Sequence, residues 1–255
     1  EPGYCIARGT CGDNLTWILG NNGALTISGS GEMNCSISSL LAQQFKSDAI
    51  TAITSVAIGD GVSGITGDTF FGCSNLTGIW VDANNTFYCS DAVGVLYNKE
   101  QTKLIYVPRK AALGNYIIPK GVVDIGGLEF WNCANLTSIT IPSSVTSIER
   151  TAFVGCSALS GIWVDSKNAV YSSDKFGVLY SKDKSKLIKA PESALLGDYA
   201  IQPHVTSIEN GAFKGCVRLT SITIPNGVTN IDESTFMDCT ELTSAIIPVS
   251  VSSIG

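Results

Sequence analysis

The sequence predicts an α/β solenoid made of stacked copies of one short unit, and three observations carry that expectation. A Phe placed three residues before a Cys recurs at Phe70/Cys73, Phe130/Cys133, Phe153/Cys156, Phe213/Cys216 and Phe236/Cys239. The Phe-to-Phe steps are 60, 23, 60 and 23 residues, so short and long units alternate in two copies of an 83-residue super-repeat. Between the markers, Leu136, Ile139, Ile141, Val145 and Ile148 keep intervals that Leu219, Ile222, Ile224, Val228 and Ile231 reproduce. Self-similarity at a fixed period of about 20–50 residues is the mark of a repeat architecture.

Within a unit, the Ile-x-Ile step has the two-residue period of a strand. Pro142 and Pro225 follow it and end the ladder, because proline has no N–H to donate. Residues 149–154 leave room for one helical turn before Gly155. Each unit therefore reads as a short strand, a turn, a short helix or 3₁₀ segment on the far side, and a return. A single unit cannot bury its apolar side alone, so stability must come from stacking neighbours.

In chain order, residues 1–35 read as a β-hairpin cap. Leu15, Trp17 and Leu19 alternate on one side of Gly20-Asn21-Asn22-Gly23, and Leu25 and Ile27 on the other. Such a hairpin would cover the open first layer. Residues 36–48 place Leu40, Leu41 and Phe45 at helical spacing. Ile53, Val56, Ile58, Val62 and Ile65 then repeat the intervals of the unit, so residues 36–255 form the solenoid. The super-repeats span 70–152 and 153–235, and the final unit stops in mid-pattern at Gly255. The long unit carries 37 extra residues, in which 94–97 and 103–108 read as an ordered hairpin adding a strand layer.

The unit FxGCxxLTSITIPxxVTSI is similar to the leucine-rich repeats of the BspA-like class, found on surface proteins of mucosal and gut bacteria and of some mucosal protozoa. The insertions NTFYCSDAVGVLYNKEQTKLIYVP (85–108) and NAVYSSDKFGVLYSKDKSKLIKAP (168–191) resemble an insertion of that class. GTCGDNLTW and GALTISGSGEM resemble the segment that precedes its repeats. The resemblance covers nearly all of the chain from about Ile53. It implies a leucine-rich-repeat solenoid, a right-handed β-α superhelix with short helical segments on its convex side. It also implies a secreted or cell-surface protein that adheres to host matrix proteins such as fibronectin and fibrinogen.

Composition narrows the function further. Apolar residues make up 44% of the chain and charged residues 15%, which suits a continuous core under a hydroxyl-rich surface. Net charge is -6 and no Lys/Arg run exceeds two residues, which disfavours nucleic acid. No apolar run is long enough to insert across a membrane. The chain begins at Glu1-Pro2, as a processed or trimmed secretory protein would. The five cysteines in register are expected as an internal column of packed thiols. Cys5, Cys11, Cys35 and Cys89 lie outside it, and Cys5 with Cys11 is the pair expected to bridge. No CxxC or Cys/His zinc spacing occurs, so neither a metal nor another cofactor is expected.

In a leucine-rich-repeat strand the positions between buried aliphatics face the concave surface. Here they include Ala57, Gly78, Trp80, Asp82, Ser138, Thr140, Gly161, Trp163, Asp165, Ser221, Thr223 and Ile246. Trp80, Asp82, Ser138, Thr140, Trp163, Asp165, Ser221 and Thr223 are the ligand-binding candidates for an extracellular protein partner. A glycan-binding or cell-envelope accessory protein that stacks its ligand on Trp80 and Trp163 is the alternative, with Tyr106 joining them from the inserted strand. Against both stands a reading in which each tryptophan packs on its own insertion. No catalytic residue is expected: His204, the only histidine, falls in a predicted turn, and there is no GxSxG. The recurring Asp82, Asp91, Asp165 and Asp174 lack a calcium-loop pattern.

Overall fold

A computed structural model describes residues 4–42, 47–194 and 197–255. The chain is a solenoid built mainly of short strands, with few helices, and it divides into two compact units, Glu1–Ala112 and Leu113–Gly255.

The first unit opens with β1 (Cys5–Gly12), β2 (Leu15–Gly20) and β3 (Ala24–Glu32), an antiparallel meander. The predicted hairpin is β2–β3, with Trp17 opposite Ile27. The strand before it, β1, buries only Ala7 and Cys11 of its eight residues, too weak an alternation to read in advance. Helix α1 (Ile37–Ala42) covers the start of the predicted helix and buries Leu40 and Leu41, while Phe45 lies outside the described residues. A 3₁₀ segment follows at Ser47–Ala52. β3 continues in parallel to β4 (Ser55–Ile58), its far end pairs with β5 (Gly61–Ser63), and β4 pairs in parallel with β6 (Gly78–Val81). Strands β1, β2 and β3 thus share one sheet with the first solenoid layers. The insertion folds as β7 (Tyr88–Ser90), β8 (Leu96–Asn98) and β9 (Leu104–Tyr106), all antiparallel. β8–β9 is the predicted hairpin and β7 a third strand.

The second unit contains β10 (Gly114–Ile117), β11 (Asp124–Ile125), β12 (Leu136–Ile141), β13 (Ser147–Ile148) and β14 (Gly161–Val164). Its insertion is β15 (Tyr171–Ser173), β16 (Leu179–Ser181) and β17 (Lys186–Lys189). It closes with β18 (Gly197–Ala200), β19 (Ser207–Ile208), β20 (Leu219–Thr223), β21 (Asn230–Ile231), β22 (Ser244–Ile246) and β23 (Ser253–Ile254). Parallel sheets run β10-β12-β14 and β18-β20-β22, and the short strands pair as β11-β13 and β21-β23. The inserted β17 lies parallel to β19, so the insertion adds a layer to the stack.

One sequence expectation changes here and another is met in part. The Val-x-x-Ile positions end in a second strand, where the sequence reading put only a turn between strand and helix. Residues 149–154 then form two 3₁₀-type turns, Ala152 N–H to Glu149 O and Val154 N–H to Thr151 O, and the equivalent bonds of the first unit, Thr69 N–H to Thr66 O and Phe71 N–H to Asp68 O, make the expected 3₁₀ segment at Gly67–Phe70. Gly155, at φ 77°, follows directly and ends the segment there.

The repeat markers fill the core. Phe70, Phe130, Phe153 and Phe213 are buried, and Phe213 stacks on Phe236 at 5.3 Å between ring centroids. Cys73, Cys133, Cys156 and Cys216 are buried thiols outside any disulfide. They do more than fill space: Cys156 donates to the Phe130 carbonyl at 3.0 Å and Cys239 to that of Phe213 at 3.1 Å, tying each layer to the one before.

The expected Cys5–Cys11 bridge is excluded. Both residues lie on β1 as free thiols. Six residues of strand separate their Cα atoms by roughly 20 Å, against the ~6 Å a disulfide spans.

Candidate binding face

Strand alternation sends Val56, Ile58, Ile79, Ile139, Ile162 and Ile222 inward and the residues between them outward. Because the strands are in register, the outward residues line up in rows across each sheet. In the first unit one row reads Arg8, Ile18, Thr26, Ala57, Trp80. In the second unit one row reads Ile117, Thr140, Trp163 and another reads Ala200, Thr223, Ile246. Adjacent rows there are Asn115, Ser138, Gly161 and Asp198, Ser221, Ser244. Asn115 Oδ1 accepts hydrogen bonds from the hydroxyls of Thr137 (3.0 Å) and Ser138 (2.9 Å), and Asp198 Oδ1 accepts one from Thr220 (3.1 Å).

Each tryptophan rests on a glycine of its own strand. A Cβ added to Gly78 would lie 2.9 Å from the Trp80 ring, and one added to Gly161 would lie 2.6 Å from Trp163. The insertion reaches that same glycine: a Cβ on Gly94 would meet Gly78 Cα at 2.5 Å, and one on Gly177 would meet Gly161 Cα at 2.6 Å. Gly94 and Gly177 also accept the N–H groups of Ile79 and Ile162, both at 2.9 Å. With these supports, Trp80 stays 47% exposed and Trp163 41% exposed. Each indole is thus held in place with a large part of its surface open to solvent.

The other sequence candidates separate. Ser138, Thr140, Ser221 and Thr223 stand on the outward rows and are half-buried. Asp82 and Asp165 fall just past their strands and build the turn into the insertion: Asp82 Oδ1 accepts the Asn84 N–H at 2.9 Å, and Asp165 Oδ1 that of Lys167 at 2.8 Å. Tyr106 does not join the tryptophans. Its hydroxyl donates to the Phe70 carbonyl at 3.1 Å and its ring packs 5.3 Å from Phe70, half-buried against the core. His204 is exposed in a turn, as its sequence context indicated.

Sequence reasoning missed the residues that fasten the insertions. Asn85 and Asn168 are fully buried. Asn168 Nδ2 donates to the carbonyls of Pro142 (2.8 Å) and Val145 (2.9 Å), and its Oδ1 accepts from Val170 N (2.9 Å) and Tyr171 N (2.8 Å). Asn85 does the same with Gly59, Val62, Phe87 and Tyr88. The tyrosine three residues on completes the clamp: Tyr88 OH accepts the Ile65 N–H and Tyr171 OH that of Ile148. The signal was present, since Asn-x-x-Tyr heads both insertions.

Lys189 stands where the other super-repeat has Tyr106. It is 4% exposed, its ammonium donates to the carbonyls of Lys214 (3.1 Å) and Gly211 (3.4 Å), and burial pushes its pKa down. Tyr180 and Tyr199 share a 2.5 Å hydrogen bond that passes on to Asp174, and burial raises both phenols. Both groups are tied to neighbours inside the stack. Among the described residues no His/Cys/Asp/Glu group could hold a metal ion, and no helix is long and apolar enough to cross a membrane.

Stacked layers with buried Phe and Cys markers and outward rows of hydroxyl, aliphatic and indole side chains define a repeat solenoid of the leucine-rich type. The model of the BspA type leucine rich repeat region matches in six copies over residues 106–200 and 192–255. The chain belongs to that family. Its fold is similar to a leucine-rich repeat protein from Eubacterium ventriosum, at 20% identity and TM-score 0.55, over 95% of this chain and 85% of that one. It is also similar to the pneumococcal vaccine antigen PcpA, at 16% identity and TM-score 0.57, over 96% of this chain and 71% of that one. No curated protein matches the chain.

Proposed function

We propose that this protein is a non-enzymatic binding module of the cell surface or extracellular space, engaging an extracellular protein through the outward face of its parallel sheets. The observation that carries this reading is the pair of tryptophans. Each is an apolar side chain more than 40% exposed, held by a glycine pedestal at the same register position of its super-repeat. Large aromatics kept at a solvent-facing position serve as anchors in protein recognition. The flanking hydroxyl rows supply hydrogen bonds at low desolvation cost. Membership in a family of surface repeats supports the location. The β1–β3 meander acts as the N-terminal cap, because it continues the sheet edge that the first layer would otherwise leave open.

One specific observation favours a second reading. With one side of each indole laid on glycine, the ring is a fixed platform of the kind that stacks on a sugar. Alanine at Trp80 and Trp163 separates the two. Loss of binding to an extracellular matrix protein, with no glycan bound by either form, supports the first reading. Loss of binding to a glycan supports the second. Binding unchanged by both substitutions removes the outward tryptophans from the function.

A further inference from the structure

The bridge that β1 cannot form within itself has another partner. Cys11 ends its strand against the chain that leaves β3: Asn34 N–H donates to the Cys11 carbonyl at 3.0 Å, and the Cys35 thiol donates to the same carbonyl at 3.7 Å. The Cys35 sulfur therefore lies against the residue that carries the Cys11 sulfur. Both belong to the apolar cluster of the first unit, Cys11 fully buried and Cys35 at its border. Cys5, at the far end of β1, turns its thiol to the Ala7 carbonyl.

We propose that Cys11 and Cys35 are a disulfide site that staples the N-terminal meander to the chain entering α1 once the protein meets an external disulfide. Burial, and after it the nearby Cys35 sulfur, push the Cys11 thiol up to about 11, as two adjacent thiols in an apolar setting would do. Cys35 is the more open and reacts first. Its thiolate attacks one sulfur of a small-molecule disulfide, whose other half leaves as a thiol after taking up a proton. The Cys11 thiolate then attacks the Cys35 sulfur. The Cys11–Cys35 bond forms, the mixed disulfide breaks, and the second half leaves as a thiol. Two protein thiols are oxidised and one external disulfide is reduced. The bond needs no ligand, so the test below and the binding test above succeed or fail independently.

The experiment is to expose the folded, full chain to oxidised glutathione at mildly alkaline pH, alkylate the remaining thiols and map the peptides by mass spectrometry. The expected product is a Cys11–Cys35 linked peptide, two hydrogens lighter than its reduced parts, with a midpoint temperature above that of the reduced protein. The C35S variant loses both the link and the rise, whereas C5S keeps both. A chain in which Cys35 stops as a stable glutathione adduct while Cys11 remains alkylatable overturns the proposal. So does a temperature rise that persists in C35S, a variant chosen because its site at the cluster border tolerates a hydroxyl better than position 11.

Discussion

At residue scale, Asn168 uses all of its amide capacity inside the protein, on four backbone groups. Asn168→Ala leaves two carbonyls and two N–H groups without that partner and costs on the order of 3 kcal/mol or more. Asn168→Asp is worse at neutral pH, since a carboxylate then faces the Pro142 and Val145 carbonyls. Urea unfolding measures both, and a cost below about 1 kcal/mol for either would contradict the clamp. Gly177 offers a paired test. At φ 73° and 2.6 Å from Gly161 Cα, an alanine meets backbone as well as conformational strain, whereas Gly197 at φ 50° has nothing within 4 Å of an added Cβ. Gly197→Ala should cost about 1 kcal/mol and Gly177→Ala several-fold more. Phe130 and Ile139 were readable from their spacing alone. The role of Asn168 was not, because its two acceptor carbonyls lie 23 and 26 residues back and come near only when layers stack.

At the scale of elements, the thiol column sets how the stack responds to alkali. Burial pushes Cys73 and Cys216 up to about 12 from an ordinary 9.0 and Tyr180 up to about 12 from 10.0, and it raises Cys156 as well. These folded-state values lie above the unfolded ones, so the unfolded chain loses protons first. Their contribution to stability is therefore level below about pH 9 and is lost as pH rises above it. By about pH 10 each such thiol costs roughly 1 kcal/mol. Lys189 acts in the opposite sense, its folded pKa being depressed, but it is one group against several. A urea midpoint that holds steady to about pH 11 would contradict this account. Oxidation of Cys11 and Cys35 would close a loop of about 25 residues and add roughly 3 kcal/mol by the chain-entropy argument. The inward strands were legible because the two-residue period survives in Ile-x-Ile. The second strands were not, since two residues such as Ser147–Ile148 are too short to display a period. The Cys5–Cys11 bridge failed for a related reason: with β1 unrecognised, the distance that a strand imposes between them was hidden.

At the scale of the whole molecule, the 83-residue super-repeat gives each unit one insertion and one exposed tryptophan on a glycine pedestal. The candidate positions Trp80, Ser138, Thr140, Trp163, Ser221 and Thr223 were legible because outward positions alternate with buried ones. Asp82 and Asp165 were misplaced because the strands end one residue earlier than the pattern. The outward rows are mostly hydroxyl and apolar, so a partner held there should depend little on salt. The direct test is to measure binding of the intact chain to an array of extracellular matrix proteins and glycans at physiological salt, alongside the W80A/W163A variant. Saturable binding to a protein is expected, weakening at least about tenfold in the variant, the loss of one well-packed aromatic anchor. Binding to glycans alone, or protein binding that the variant retains in full, would contradict it.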